Sequence, residues 1–132
     1  MTIQIRQIGS STSEALIRSH EITIDRSNDK GGADLGPMGG ELFLAAIGGC
    51  FMSNLLAAIR AREANIADVR AEITGEIADS PTRFVGVEIV VMAVNAQRET
   101  LERVVEIADR GCIMMNTLRG KLGVIVRTGV PV

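Results

Sequence analysis

The sequence predicts an α+β fold in which two antiparallel β-sheet regions surround a central buried helix. Residues that alternate between apolar and polar predict strands near the amino end and again on both sides of residue 80. Between these regions, apolar residues recur every three or four positions from about Gly39 to Glu63, which is typical of a helix. The 132 residues, of which 46% are hydrophobic, suit one globular domain, which we place at 1–132.

The amino-terminal region is predicted to form a β-hairpin or meander. Strands are expected over residues 2–8 and 14–25, because apolar and polar residues alternate there and the residues from Gly9 to Ser13 favour a turn. The stretch 25–37 is rich in Gly, Asn and Asp, so we expect a loop.

The predicted helix over 39–63 is apolar on almost every side. One side carries the large residues Phe43, Ile47, Phe51, Leu55 and Ile59, and another carries many small residues, among them Ala45, Ala46 and Gly49. A helix of this kind is expected to be buried, either in the core or between subunits.

The carboxy-terminal half is predicted to contain a second hairpin, two helices and a last strand. Strands over 66–78 and 83–94 flank turn residues at 79–82. A helix over 98–110 has an apolar stripe, and Gly111 predicts its end or a break before a shorter helix that runs through Leu118. Residues 123–127 predict the closing strand.

Composition excludes several classes of function. The net charge of −2 and the lack of Trp and Tyr argue against a nucleic-acid partner. The amino end lacks the layout of a signal peptide, and the longest apolar run, 42–52, is too short to span a bilayer. We therefore expect a cytoplasmic protein with no membrane partner. Two Cys and one His do not form a recognisable zinc spacing, so no metal is expected.

The chain has two cysteines, in different settings. Cys50 lies in the apolar helix, and Cys112 follows Arg110 and Gly111. A thiol in apolar surroundings is usually inert, whereas a thiol near a cation becomes the reactive thiolate. The residues alone leave both interpretations open, and no Cys-x-x-Cys motif is present.

Two motifs suggest a family. The Gly-Gly-Ala-Asp-Leu-Gly-Pro loop at 31–37 precedes the Glu-Leu-Phe-Leu-Ala-Ala-Ile-Gly-Gly-Cys helix at 41–50. Together with the strand from Arg18, this region resembles the OsmC/Ohr family of organic hydroperoxide reductases, and more specifically its OsmC-like branch. The resemblance implies an OsmC/Ohr-like fold that forms an intertwined homodimer, with active sites at the subunit interface and no cofactor.

The resemblance also implies roles for the two cysteines. Cys50 matches the peroxide-reacting cysteine and Cys112 the resolving one, so an organic hydroperoxide is the implied substrate. An external dithiol, a lipoyl-bearing protein in the family, would reduce the resulting disulfide. Two features differ from the reductases: Ile113 stands where Pro commonly follows the second cysteine, and the loop before Glu41 is about two residues longer.

A thiol peroxidase also needs a cation that stabilises the thiolate, and an arginine held by a carboxylate is the expected group. Arg26 is our first candidate, with Arg18 and Lys30 as others. Either Glu41 or the position of Gly40 matches the family's catalytic acid. On a regular helix Glu41 would lie opposite Cys50 and about 13 Å away along the axis. If Glu41 acts, it acts through an arginine, or across the dimer, or because the helix begins later than Gly39.

The remaining predictions concern the substrate and a second function. Phe51, Met114 and Met115 are predicted to line an apolar substrate site. Each site residue also has a structural interpretation: Cys50 and Cys112 as packing residues, Arg26 as a solvated loop charge, and Glu41 as an acid favoured by the helix dipole. The alternative function is a non-catalytic dimer that binds a small apolar or electrophilic ligand at the subunit interface.

Overall fold

The structure is a computed structural model that describes residues 1–129. The chain divides into two compact units, Met1–Phe43 and Leu44–Val132.

The first unit is built on a three-stranded antiparallel sheet in the order β1-β2-β3. Its strands are β1 (Gln4–Gln7), β2 (Ser13–Ile17) and β3 (His20–Ile24). The meander is as predicted, but the single strand expected over 14–25 is two strands, joined by a turn at Arg18 with φ of 55°. A non-glycine residue seldom adopts this left-handed conformation, so the sequence pattern did not signal the turn.

The loop after β3 is organised by the buried carboxylate of Asp25, of which 2% is exposed. Its oxygens accept hydrogen bonds from the backbone N–H groups of Arg26 at 2.7 Å and of Ala33 and Leu35 at 3.3 Å, and from Thr12 Oγ1 at 3.0 Å. Burial alone would raise the pKa of Asp25, but hydrogen bonds from Ser11, Leu35, Thr12 and Arg26 outweigh it and hold the pKa below its usual value.

The long helix α1 spans Gly39–Ala61. Its start is fixed by Glu41, whose Oε1 accepts the backbone N–H of Met38 at 2.8 Å. This is the reciprocal half of a capping box, in which an acid in the first turn satisfies an otherwise unpaired N–H. The predicted start at Gly39 is confirmed, and the end lies two residues before the predicted Glu63.

The second unit contains a three-stranded sheet with β5 in the middle, in the order β4-β5-β6. The predicted hairpin is confirmed as β4 (Ala67–Ala78) and β5 (Arg83–Val94), which pair antiparallel. The last strand, β6 (Gly123–Thr128), pairs parallel with β5, so this sheet is mixed. The parallel pairing requires a crossover, which the helices between β5 and β6 provide.

The crossover contains α2 (Arg98–Gly111) and α3 (Ile113–Leu118). The apolar stripe predicted for α2 is buried, and the chain breaks helical conformation at Cys112, next to the predicted Gly111. Together with α1, this stripe and β5 supply most of the core. The buried residues of α1 lie on the side of the helix that carries its large side chains. The fully or almost fully buried core residues include Ile47, Phe51, Leu55, Val87, Ile89, Val91, Leu101, Val104, Ala108 and Met115.

Close packing of α1 on β4 depends on Gly48. A Cβ at this position would lie 2.7 Å from Cγ1 of Ile73, closer than real side chains approach. Its neighbour Gly49 faces open space, with no atom within 4 Å of a Cβ. The two adjacent glycines therefore lie on different sides of the helix.

The second side of α1 is exposed. It carries Ala45, Ala46, Gly49, Ser53, Leu56 and Ala57, and 47% of Leu56 is accessible. Within the described residues, α1 is one helix whose length and apolar composition would also suit a membrane span. Core helices of soluble proteins share these properties, so the match is weak evidence for a membrane.

Candidate functional site

The fold brings the two cysteines together. The thiol of Cys112 donates to the sulfur of Cys50, with 3.2 Å between the two Sγ atoms. Both are free thiols, although 62 residues separate them in the chain. A disulfide has sulfurs about 2.05 Å apart, so the pair lies roughly 1.2 Å from bonding distance.

Cys112 is held at the junction of α2 and α3. It is the one residue between the helices, with extended backbone angles of φ −83° and ψ 118°. Its carbonyl accepts the N–H of Asn116 at 3.0 Å, and the Asn116 side chain donates to the carbonyl of Arg110 at 3.0 Å. These bonds fix the junction, and the Cys112 side chain is fully buried.

Burial raises the pKa of Cys112 above its usual value. The backbone N–H groups of Met115 and Met114 oppose this shift, whereas the hydrogen bond with Cys50 and the charge that Cys50 can carry add to it. Cys112 therefore remains a neutral thiol over a wider pH range than a free cysteine.

Cys50 is only half-buried and has a second polar neighbour in its own unit. The side-chain amide of Asn54 donates from Nδ2 to the Cys50 carbonyl at 2.9 Å and lies 3.9 Å from Cys50 Sγ. No pattern in the sequence singled out Asn54. Its position four residues after Cys50, one helical turn away, was the available signal.

The three residues predicted to line a substrate site lie close to the cysteines in sequence and differ in exposure. Phe51 and Met115 are fully buried in the core of the second unit, whereas Met114 is half-buried. Met114 is therefore the most accessible of the three. Their contact with a substrate stays a prediction.

The predicted charged residues belong to the first unit. Arg26 is exposed and lines a cleft of about 450 Å³ together with Asp25, Lys30 and Met38. Arg18 is exposed in the turn between β2 and β3. Glu41 has the capping contact described above, which agrees with its structural interpretation. The catalytic roles of Arg26 and Glu41 stay predictions.

Residues 1–129 contain no group of three or more His, Cys, Asp or Glu side chains that could hold a metal ion.

Comparison with solved structures identifies the fold. The chain is similar to an OsmC-like protein from Mycoplasma pneumoniae, with a TM-score of 0.86, 16% identity and coverage of 99% of this chain and 96% of that one. It is also similar to an organic hydroperoxide resistance protein OsmC from Legionella pneumophila, with a TM-score of 0.76, 19% identity and coverage of 100% and 98%. The organic hydroperoxide resistance protein OhrB of Bacillus subtilis matches with a TM-score of 0.73, 20% identity and 98% coverage of both chains.

No protein with a curated description gives a significant match. The family model described as OsmC-like protein matches residues 31–127, which include both cysteines, Asn54 and most of the second unit. This match confirms the resemblance drawn from the loop and helix motifs. The chain belongs to the OsmC-like protein family.

Proposed function

We propose that this protein is a thiol-dependent peroxidase that reduces organic hydroperoxides with Cys50 and Cys112. The observation that carries the proposal is the 3.2 Å contact between two free thiols of unequal burial. Family membership, and the similarity in fold to proteins named for organic hydroperoxide resistance, support a peroxide-related role.

The more accessible thiol, Cys50, is the attacking group in this proposal. Its thiolate attacks the distal oxygen of the hydroperoxide, the O–O bond breaks, and an S–O bond forms. The leaving alkoxide takes up a proton and departs as an alcohol. Cys50 is thereby oxidised to a sulfenic acid.

Cys112 then resolves the sulfenic acid. Its thiol loses a proton and attacks the Cys50 sulfur, the S–O bond breaks, and hydroxide leaves as water after protonation. The raised pKa of Cys112 supports this order, because a neutral buried thiol is a poor first nucleophile. An external dithiol, for which a lipoyl-bearing protein is the candidate, returns the disulfide to two thiols.

The activating cation is proposed to be Arg26, with Glu41 orienting it. A guanidinium near the sulfur would stabilise the thiolate and polarise the O–O bond. The organised loop supports this assignment, because the Asp25 carboxylate fixes the backbone N–H of Arg26 at 2.7 Å.

The active form is proposed to be a cytoplasmic homodimer formed by a single kind of domain. Support comes from the exposed side of α1, which presents Ala45, Ala46 and Gly49 beside the 47% exposed Leu56. Small residues allow a second backbone to approach closely, and a contiguous apolar patch of this kind marks an interaction surface.

One observation favours the second function, a dimer that binds a small apolar or electrophilic ligand without turnover. In the described part of the unit that contains Cys50, the side chains that donate hydrogen bonds to its sulfur are the thiol of Cys112 and the amide of Asn54, and both are neutral. If no cation reaches the Cys50 sulfur in the assembled protein, the same site would bind a small ligand but would not reduce a hydroperoxide.

The experiment that separates these functions measures loss of cumene hydroperoxide by the reduced protein with dihydrolipoamide as reductant. We expect turnover by the wild-type protein, loss of turnover in Cys50→Ser, and unchanged turnover in the control variant Gln97→Ala, which changes an exposed residue just before α2. Wild-type protein that binds but does not consume hydroperoxide would support the second function. Turnover retained by Cys50→Ser would contradict the proposed mechanism.

A further inference from the structure

We propose that Asn54 is a further catalytic residue of this site, whose side-chain N–H donates to the sulfur of Cys50 and stabilises its thiolate. This inference rests on the proposed function, since it assigns a role in the same reaction. The amide is neutral and comes from the same helix as Cys50, so it is distinct from the arginine and glutamate discussed above.

The orientation of the amide follows from its stronger contact. Nδ2 lies 2.9 Å from the carbonyl oxygen of Cys50, which can only accept a hydrogen bond. The NH₂ group must therefore face Cys50, and the amide oxygen must face away. The oxygen lies beside Gly111, 3.4 Å from the position that a Cβ would take there.

This orientation presents a donor to the reacting atom. The NH₂ group has two hydrogens, and Cys50 Sγ lies 3.9 Å from Nδ2, within the range of hydrogen bonds to sulfur. A donor favours the charged form of its acceptor, so the amide stabilises a thiolate more than a thiol. The donor acts on the thiolate that begins the reaction; in the attack the sulfur forms its bond to the distal oxygen and the negative charge leaves on the alkoxide.

Asn54 also lies beside both halves of the thiol pair. Its nitrogen faces Cys50, and its oxygen is next to the residue that precedes Cys112. The Cys112 thiol is the second donor to Cys50 at 3.2 Å, and it is consumed when the disulfide forms. Of the two groups in residues 1–129 that donate to the Cys50 sulfur, Asn54 is therefore the one that the reaction does not consume.

The test measures thiol reactivity in a Cys112→Ser background, which leaves Cys50 as the one thiol and removes the titratable group that contacts it. The rate of alkylation by iodoacetamide is followed by mass spectrometry from pH 6 to pH 10. We expect Asn54→Leu to slow alkylation at pH 7 by about 3- to 10-fold, the effect of one hydrogen bond of ordinary strength, because the 3.9 Å contact to sulfur is long. The variant should have little effect at pH 10.

Two further variants sharpen the result. Asn54→Asp keeps the shape but presents an acceptor with negative charge, so it should slow alkylation at pH 7 more than Asn54→Leu does. Gln97→Ala, which removes an exposed side-chain amide just before α2, should leave the rate unchanged. A purely structural role for Asn54 would not move the pH profile of alkylation in this ordered way.

Superimposable pH profiles for the parent and a folded Asn54→Leu would overturn the inference. If Asn54→Leu does not fold, the isosteric Asn54→Asp decides: an unchanged rate at pH 7 overturns the inference and a slower rate supports it. Failure of the proposed function can be told apart from failure of this inference. In that case the protein would not turn over hydroperoxide, but the rate of alkylation would still depend on Asn54.

Discussion

Cys50 Sγ lies 3.2 Å from Cys112 Sγ, and the two thiols are unequally buried. Cys50 is half-buried on the long helix, whereas Cys112 is fully buried between two shorter helices. Because an attacking thiol must meet its substrate and a resolving thiol need only meet its partner, this asymmetry supports the two roles proposed above.

Replacing the resolving thiol should stop the cycle after its first step. In Cys112→Ser, one equivalent of cumene hydroperoxide should convert Cys50 to a sulfenic acid that persists, because no second thiol lies within reach. Mass spectrometry after treatment with dimedone should find the adduct on Cys50. The wild-type protein is the control and should form little adduct. An adduct of equal yield in both proteins would contradict the resolving role of Cys112.

The raised pKa of Cys112 predicts a loss of stability at alkaline pH. The folded protein retains the Cys112 proton above the ordinary value of 9.0, whereas the unfolded chain loses it there. The unfolded state then binds fewer protons, so the free energy of unfolding falls as pH rises from about 9 through the folded-state pKa. Below pH 9 this contribution to stability is fully present.

Urea denaturation of the reduced protein at a series of pH values measures this effect. The decline above pH 9 should be steeper in the wild-type protein than in Cys112→Ala, which lacks the titrating group. Parallel declines in the two proteins would show that other groups cause the alkaline instability.

The packing of α1 on β4 predicts that Gly48→Ala is destabilising. The new methyl group would meet Ile73 at 2.7 Å, and overpacking of this kind typically costs about 1–3 kcal/mol. Alanine recovers roughly 1 kcal/mol of helix propensity, so we expect a net loss of about 1 kcal/mol in the free energy of unfolding.

The matched control is Gly39→Ala on the same helix, where no atom lies within 4 Å of a Cβ. This variant should be as stable as the wild-type protein, or more stable by up to about 1 kcal/mol. Urea denaturation of both variants tests the pair. The packing argument would be wrong if Gly48→Ala were no less stable than the wild-type protein.

The exposed side of α1 predicts that Leu56→Glu weakens self-association. The wild-type protein should sediment as a dimer, and a carboxylate placed in an apolar interface is costly unless it is paired, so the variant should sediment as a monomer. Ile125→Glu changes a residue that is 57% exposed on β6 and should remain a dimer. A monomeric wild-type protein would contradict the proposed dimer.

Local patterns predicted most of the fold. The stripe of Leu101, Val104, Val105 and Ala108 is buried as the helical spacing indicated, and the second hairpin lies where alternation placed it. The turn at Arg18 was missed because its left-handed backbone has no residue signal, and the parallel pairing of β6 was missed because register across a crossover depends on tertiary packing.

The candidate site was predicted less completely. The family-like motif identified Cys50, but the distance between Cys50 and Cys112 depends on how α1 meets the junction of α2 and α3. Asp25 and Asn54 were missed because each acts through contacts that a spacing rule alone does not single out: Asp25 through backbone N–H groups up to ten residues away, and Asn54 through its own helical turn.

The proposed reaction between the two thiols is tested by treating the reduced wild-type protein with one equivalent of cumene hydroperoxide and mapping its thiols by peptide mass spectrometry without reduction. We expect one intramolecular disulfide between Cys50 and Cys112, one equivalent of alcohol released, and no free thiol remaining. Two free thiols with the hydroperoxide unconsumed would contradict it.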